Sequence, residues 1–360
     1  MKGRDSSQGA RLNLRAGEWV EVRSQEEILA TLDQDGRLEA LPFMPEMLQY
    51  CGRKFRVFKR ADKTCDNIQT WSMRRLEGTV HLEGLRCDGT GHDECEAGCL
   101  IFWKEAWLRR AANDLISPAS LPPVTSTSSG ECRRLCTVEN ILAASQTVNS
   151  EGESVFSCQA TELRNFTSFM RWWDPRQYIR DIRSGNVSSS LADGSLTGQI
   201  LEVLLDILQV TRALIISIFR DRRGVHYPYI SGMLEKTPTE KLDLQPGEIV
   251  QVRSKEEIIA TLDKTNRNRG LLFDGEMLRY CGGIYRVLRR VDHMIDEKTG
   301  KMMNMKYPCI VLEGVVCQSD YHRLCPRAIY HYWRENWLRR AVDLAPSVPA
   351  ELMTEACEKC

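Results

Sequence analysis

GEWVEVRSQEEILATLD (residues 17–33) returns as GEIVQVRSKEEIIATLD (residues 247–263), and EMLQYCG (46–52) returns as EMLRYCG (276–282). The offset is 230 in both cases. Extended outward, residues 17–111 align with 247–341 without a gap, and 41 of the 95 positions are identical. Unrelated chains do not hold register over such a length, so the sequence carries one folded unit twice. Each copy opens on an alternating segment that reads as a strand, Trp19–Val22 or Ile249–Val252. A capping box then starts a short helix, Ser24 with Glu27 and Ser254 with Glu257. Gly52 falls where a left-handed cap belongs, so Cys51 sits at a turn. Phe55–Phe58 and Val80–Glu83 read as further strands. Trp103/Trp107 and Trp333/Trp337 are spaced i, i+4, which predicts two rings on one helical face.

The expected fold class is therefore α+β: two homologous small β-rich modules, SH3-like barrels or bent sheets, flanking a mainly helical insert. Read along the chain, this gives a polar N-terminal tail (1–15), module 1 (16–112) and a Pro/Ser/Thr-rich linker (113–131). A central domain (132–243), module 2 (244–342) and a mobile C-terminal tail (343–360) follow. The most apolar stretch, Gln199–Phe219, is broken by Glu202, Asp206, Gln209 and Arg212. It is too polar to span a bilayer and predicts a mostly buried helix of the insert, with an interfacial or partner-binding helix as the alternative.

Composition narrows the function classes. Forty-nine basic and 49 acidic residues give zero formal net charge, which argues against a dedicated nucleic-acid or anionic-membrane binder. The first residues, MKGRDSSQGARLNLRAGE, hold no apolar run of the signal-peptide kind, so a cytoplasmic, reducing location is expected. In that setting 14 cysteines point to metal ligation or buried thiols before disulfides.

Duplication selects among them. Four positions recur: Cys51/Cys281, Cys87/Cys317, His92/His322 and Cys95/Cys325. Three thiolates and one imidazole suit one tetrahedral zinc per module, with iron second. Cys65, Cys99 and Cys309 are extra candidates without a counterpart, facing Ile295, Ile329 and Thr79. Cys132, Cys136, Cys158, Cys357 and Cys360 read as separate thiols. Glu83 and Glu313, four residues before the first ligand of each Cys-x4-His-x2-Cys run, are expected to orient the histidine from behind.

WWDPRQY (172–178) offers Trp172, Trp173, Arg176 and Arg180 as ligand- or partner-binding residues. The Trp/Arg ends WKEAWLRRA and WRENWLRRA leave base stacking as a further option. No GxGxxG, GxxxxGK[ST], GxSxG or HExxH occurs.

LEGVVC (312–317), YHRLCPRAIYHYWRENWL (321–338) and WWDPRQYIRDIRSGNVS (172–188) together resemble a family of uncharacterised bacterial proteins, over about residues 155–342. The resemblance implies a bacterial, cytosolic protein and assigns no catalytic residue. The expected function is a zinc-stabilised tandem-repeat accessory or interaction protein with a protein or small-molecule partner, leaning away from an enzyme. A metalloenzyme of a bacterial biosynthetic pathway, with its reactive site in module 1, is the alternative, and nucleic-acid binding comes third.

Overall fold

The computed structural model describes residues 11–66, 72–111, 136–187, 196–223 and 230–341. Module 1 contains β1 (Trp19–Val22), α1 (Gln25–Leu29), β2 (Arg37–Leu38), β3 (Leu41–Pro42), β4 (Lys54–Arg60), β5 (Lys63–Asp66), β6 (Ser72–Arg75), β7 (Thr79–Leu82), β8 (Trp103–Lys104) and β9 (Leu108–Arg110). The insert adds α2 (Val138–Ser145), β10 (Gln146–Val148), β11 (Ser154–Phe156), β12 (Ser168–Phe169), α3 (Arg176–Arg183) and α4 (Leu196–Arg223). Module 2 repeats the plan with β13 (Ile249–Val252), α5 (Lys255–Ile259), β14 (Arg267–Asn268), β15 (Leu271–Leu272), β16 (Ile284–Ile295), β17 (Met302–Leu312) and β18 (Leu338–Arg340). Strands and helices mix, and a half-barrel sheet carries the α+β class.

The principal sheets run β8-β7-β4-β1-β9 and β17-β16-β13-β18, with antiparallel pairing. Both capping boxes form: Ser24 and Ser254 accept from the Glu27 and Glu257 amides, and those carboxylates accept in return from the serine amides. Gly52 adopts φ 73° at the turn after the 3₁₀ helix Pro45–Tyr50, a conformation glycine takes without steric cost.

The tryptophan ends are not helices. Module 1 has a strand (β8), one 3₁₀ turn (Glu105–Trp107) and a second strand; module 2 has an isolated bridge from Trp333 to Ile310, the 3₁₀ turn Glu335–Trp337 and then a strand. That path turns Trp103, Trp107, Trp333 and Trp337 fully inward. Trp107 meets Phe43 edge to face at 5.2 Å and donates Nε1–H to Thr31 at 3.1 Å; Trp337 repeats this with Phe273 (5.3 Å) and Thr261 (2.9 Å). Buried rings offer no stacking surface, which removes the structural basis for base binding at these ends.

The insert does not stand apart from module 1. Cys136, Ile141, Cys158, Ala160 and Leu163 belong to the module 1 core, and β12 extends the β5–β6 hairpin. Lys63 of β5 meets Asp181 of α3 at 2.5 Å, with both side chains almost fully buried. Module 2 has one long hairpin, β16–β17, where module 1 has two ladders. Leu76, Glu77 and Gly78 (φ 59°) break module 1's strand there, and β12 takes the outer edge.

Helix α4 departs from the buried helix that its sequence predicts. Leu204, Ile207, Leu208, Ile215 and Ile218 are exposed, whereas Asp206 is buried. Among the described residues, no helix is long and apolar enough to cross a membrane.

His81 on β7 supplies a pH prediction. It is fully buried beside Phe102, with rings 4.5 Å apart, and Nδ1 lies 2.8 Å from the Ile101 carbonyl. Burial holds its pKa down at about 3, so the native ring stays neutral while the unfolded chain takes a proton below about 6.5. This contribution is intact above pH 6.5 and is lost as pH falls toward 3, at up to ~1.4 kcal/mol per pH unit. Chemical denaturation of wild type and His81→Leu across that range checks it: the variant's stability should fall less steeply, by about one proton's worth.

Candidate metal centre

The structure brings Cys87 and His92 together, but not with cysteines. Their third partner is Glu46. Its oxygen, the Cys87 sulfur and a His92 ring nitrogen lie within 4.8 Å of one another; Glu276, Cys317 and His322 do the same in module 2.

Local structure explains the acid. The 3₁₀ helices Pro45–Tyr50 and Gly275–Tyr280 turn Glu46 and Glu276 inward beside Met47 and Met277. Gly91 leaves room for the carboxylate, since a Cβ there would stand 2.6 Å from Glu46 Oε2. The Cys87 thiol donates to Glu46 Oε1 at 2.8 Å, and His92 Nδ1 lies 3.2 Å from the same oxygen. His92 Nε2 is 3.3 Å from the Ser157 carbonyl, which the insert supplies. An Nε2–H donated there would leave Nδ1 as the basic nitrogen facing Glu46. In module 2, His322 Nε2 faces Asp274 Oδ1 at 3.3 Å, and the Tyr321 amide donates to Glu276 Oε1 at 2.6 Å.

The electrostatics are those of a site short of positive charge. Glu46 Oε2, Glu276 Oε2 and His92 Nδ1 are buried without a hydrogen-bond partner. Burial first, and then the Glu46 charge, pushes the Cys87 thiol far above its ordinary value; Cys317 rises for the same two reasons, with Glu276 as the acid. Burial also raises Glu276. Burial opposes the Asp274 carboxylate as well, but the hydrogen bond to His322 holds it well below the ordinary range.

The donor set fits zinc. Bond lengths of about 2.3 Å to sulfur and about 2.0–2.1 Å to nitrogen and oxygen imply tetrahedral edges of about 3.3–3.6 Å. The Cys87–Glu46 contact of 2.8 Å is shorter than its edge by about 0.7 Å, and the His92–Glu46 contact of 3.2 Å by about 0.1 Å. An ion that displaced the thiol proton would open them to that length.

Several expected ligands fall elsewhere. Cys51 and Cys281 are half-buried and pack against the module cores, where each caps a 3₁₀ helix; neither joins the ligand groups. Cys95 and Cys325 are carried past the clusters. Two successive left-handed residues, Asp93 and Glu94 (φ 51° and 58°) or Arg323 and Leu324 (56° and 58°), turn the chain between histidine and cysteine. The sulfurs then meet the opposite module: Cys95 Sγ accepts from the Ile295 amide at 3.4 Å, and Cys325 Sγ accepts from the Cys65 amide at 3.2 Å. Cys65 therefore faces Cys325 rather than a metal cluster. Cys309 is buried 3.4 Å from an Arg334 nitrogen. Cys99 lines a cavity of about 30 Å³ with Cys87, His92, Cys95 and Cys158, room for one or two waters.

Glu83 and Glu313 do not support the histidines. They are about half exposed and face Arg56 and Arg286 at 3.8 and 3.7 Å. Ser157 and Asp274 occupy the supporting positions instead. Arg176 is committed to Asp174 (2.8 Å), and their hydrogen bond holds that carboxylate down at about 2. Trp173 is 56% exposed under the Arg171 guanidinium. Trp172 lies beneath Arg323 of module 2, 5.9 Å away. Arg180 lines a surface cleft with Arg11, Arg15, Arg60 and Arg183. Cys132, Cys357 and Cys360 lie outside the described residues.

Sequence reasoning passed over Glu46 and Glu276. The signal was there: an acid kept in both copies inside the apolar EML stretch. Comparison of the chain with protein-family models, curated proteins and solved structures finds no match.

Proposed function

We propose that this is a metal-binding tandem-module protein in which each module holds one zinc ion through a carboxylate, a thiolate and an imidazole. The ligands would be Glu46, Cys87 and His92 in module 1 and Glu276, Cys317 and His322 in module 2. The observation that carries the reading is the recurrence, in two independently diverged copies, of one buried triad with a partnerless carboxylate oxygen. A divalent cation supplies the missing charge, and it ties the 3₁₀ helix to the loop after the central hairpin in a small module. The finer architecture we assign to each module is an SH3-like barrel. A cytoplasmic location belongs to the same proposal, because thiolate ligands need a reducing compartment.

The role we favour is that of an accessory or interaction protein. One observation favours the alternative, a metalloenzyme centred on module 1: three protein ligands leave a fourth position, and the thiol-lined cavity adjoins Cys87 and His92. In module 2, Asp274 stands where module 1 has Met44, which lines that cavity.

Elemental analysis of variants tests the ligand assignment. Glu46→Gln and Glu276→Gln should each remove about one equivalent of zinc, while Cys51→Ser, Cys281→Ser and Cys95→Ser keep both. Loss of metal in the cysteine variants with retention in the glutamine variants would overturn it.

A further inference from the structure

Cys65 and Cys325 are 260 positions apart in the chain, yet their sulfurs are 3.2 Å apart. Cys65 lies on β5 of module 1, and Cys325 lies in the module 2 loop beyond His322. Both are buried. The Cys65 amide donates to Cys325 Sγ, and the Cys325 thiol in turn donates to Cys65 Sγ. Arg327, buried and paired with Glu297 at 2.9 Å, reaches the Cys65 carbonyl at 3.5 Å. A disulfide needs about 2.05 Å between sulfurs, so a closure of only about 1.2 Å separates the pair from a covalent link.

The duplication provides an internal comparison. The offset of 230 carries Cys325 to Cys95 and Cys65 to Ile295, and the Ile295 amide donates to Cys95 Sγ. The two modules thus meet through the same contact used in both directions, as the halves of a two-fold dimer do. Only one of the two junctions carries a second thiol. This asymmetry accounts for a cysteine at position 65 that has no counterpart and joins no ligand group.

We propose that Cys65 and Cys325 form a redox-modification site, in which a small hydroperoxide converts the thiol pair into a disulfide that locks module 1 to module 2. Cys325 is the attacking sulfur, since its Sγ accepts the Cys65 amide N–H beside a buried guanidinium, an arrangement that favours thiolate. Its thiolate attacks one peroxide oxygen, the O–O bond breaks to leave the Cys325 sulfenic acid, and the departing hydroxide takes up the proton that the Cys325 thiol gave up, as one water. The Cys65 sulfur then attacks the sulfenic sulfur. The S–S bond forms, the S–O bond breaks, and hydroxide leaves with the Cys65 proton as a second water. Two thiols lose two electrons in all, and one hydrogen peroxide becomes two waters. Neither sulfur belongs to the proposed zinc ligands, so the inference stands or falls separately from them.

The test uses the full chain, purified reduced, freed of reductant and treated with hydrogen peroxide. Alkylation, digestion without reduction and mass spectrometry follow. The expected product is a Cys65–Cys325 linked peptide, with two fewer alkylatable thiols and a higher melting temperature that dithiothreitol reverses. Cys65→Ser should show no such link and no shift in melting. Ile295→Cys should gain a second link, to Cys95, because it recreates the pair at the related junction. Recovery of Cys65 and Cys325 as separate alkylated peptides after peroxide, or linkage of either to another cysteine, would overturn the proposal.

Discussion

Trp107→Ala should cost module 1 about 3–5 kcal/mol, the range for deleting a large buried aromatic side chain. The ring is fully buried, and it holds three things at once. It packs against Phe43, it donates to Thr31 just beyond the C-cap of α1, and it sits where the 3₁₀ turn joins β9. Alanine would leave a cavity and strand the Thr31 hydroxyl without that donor. A typical domain is stable by only about 5–15 kcal/mol, so the loss is a large part of the whole. Trp337→Ala should do the same to module 2, where Phe273 and Thr261 repeat the arrangement. Trp173→Ala, at an exposed ring, should change stability by less than about 1 kcal/mol. Urea denaturation of the three variants checks the order. Equal effects at Trp107 and Trp173 would mean that the core assignment is wrong.

Asp181→Asn should be of similar size, about 3–5 kcal/mol, for a different reason. Lys63 and Asp181 form a pair that is almost wholly out of water, and the Lys63 ammonium also lies 5.0 Å from the centre of the Tyr178 ring. Removing one partner leaves a buried charge without compensation, the costly way to break such a pair. Replacing both, as in Lys63→Met with Asp181→Leu, should recover most of the loss, because the desolvation cost of two ions disappears along with their attraction. A double-mutant cycle on denaturation midpoints reads the coupling. The same pair docks α3 of the insert on β5, so limited proteolysis of Asp181→Asn should release cleavage within residues 172–187 that wild type resists.

Much of the fold was legible because duplication is a statement about structure. Both capping boxes, the opening strands and the glycine turn formed where the residues placed them. The tryptophan ends misled because i, i+4 spacing also arises when a 3₁₀ turn sits between two inward-facing strand positions. Two of the three residues in each candidate group were legible, Cys87 and His92 in one and Cys317 and His322 in the other. Glu46 and Glu276 were passed over despite their recurrence, because an acid is read as a solvated residue unless something shows it buried. Cys95 and Cys325 looked like ligands because His-x2-Cys is a chelating spacing. The left-handed residues that turn them away are ordinary side-chain types carrying no sequence signal of that conformation. Their true contacts lie across the module junction, which local periodicity does not encode.

X-ray absorption at the zinc edge of the purified native protein tests the central claim most directly. Two ions per chain should each show one sulfur near 2.3 Å, with the remaining ligands nitrogen or oxygen near 2.0 Å. Three sulfurs per ion would restore the cysteine-rich site that the sequence suggested, and a chain without bound metal would contradict both.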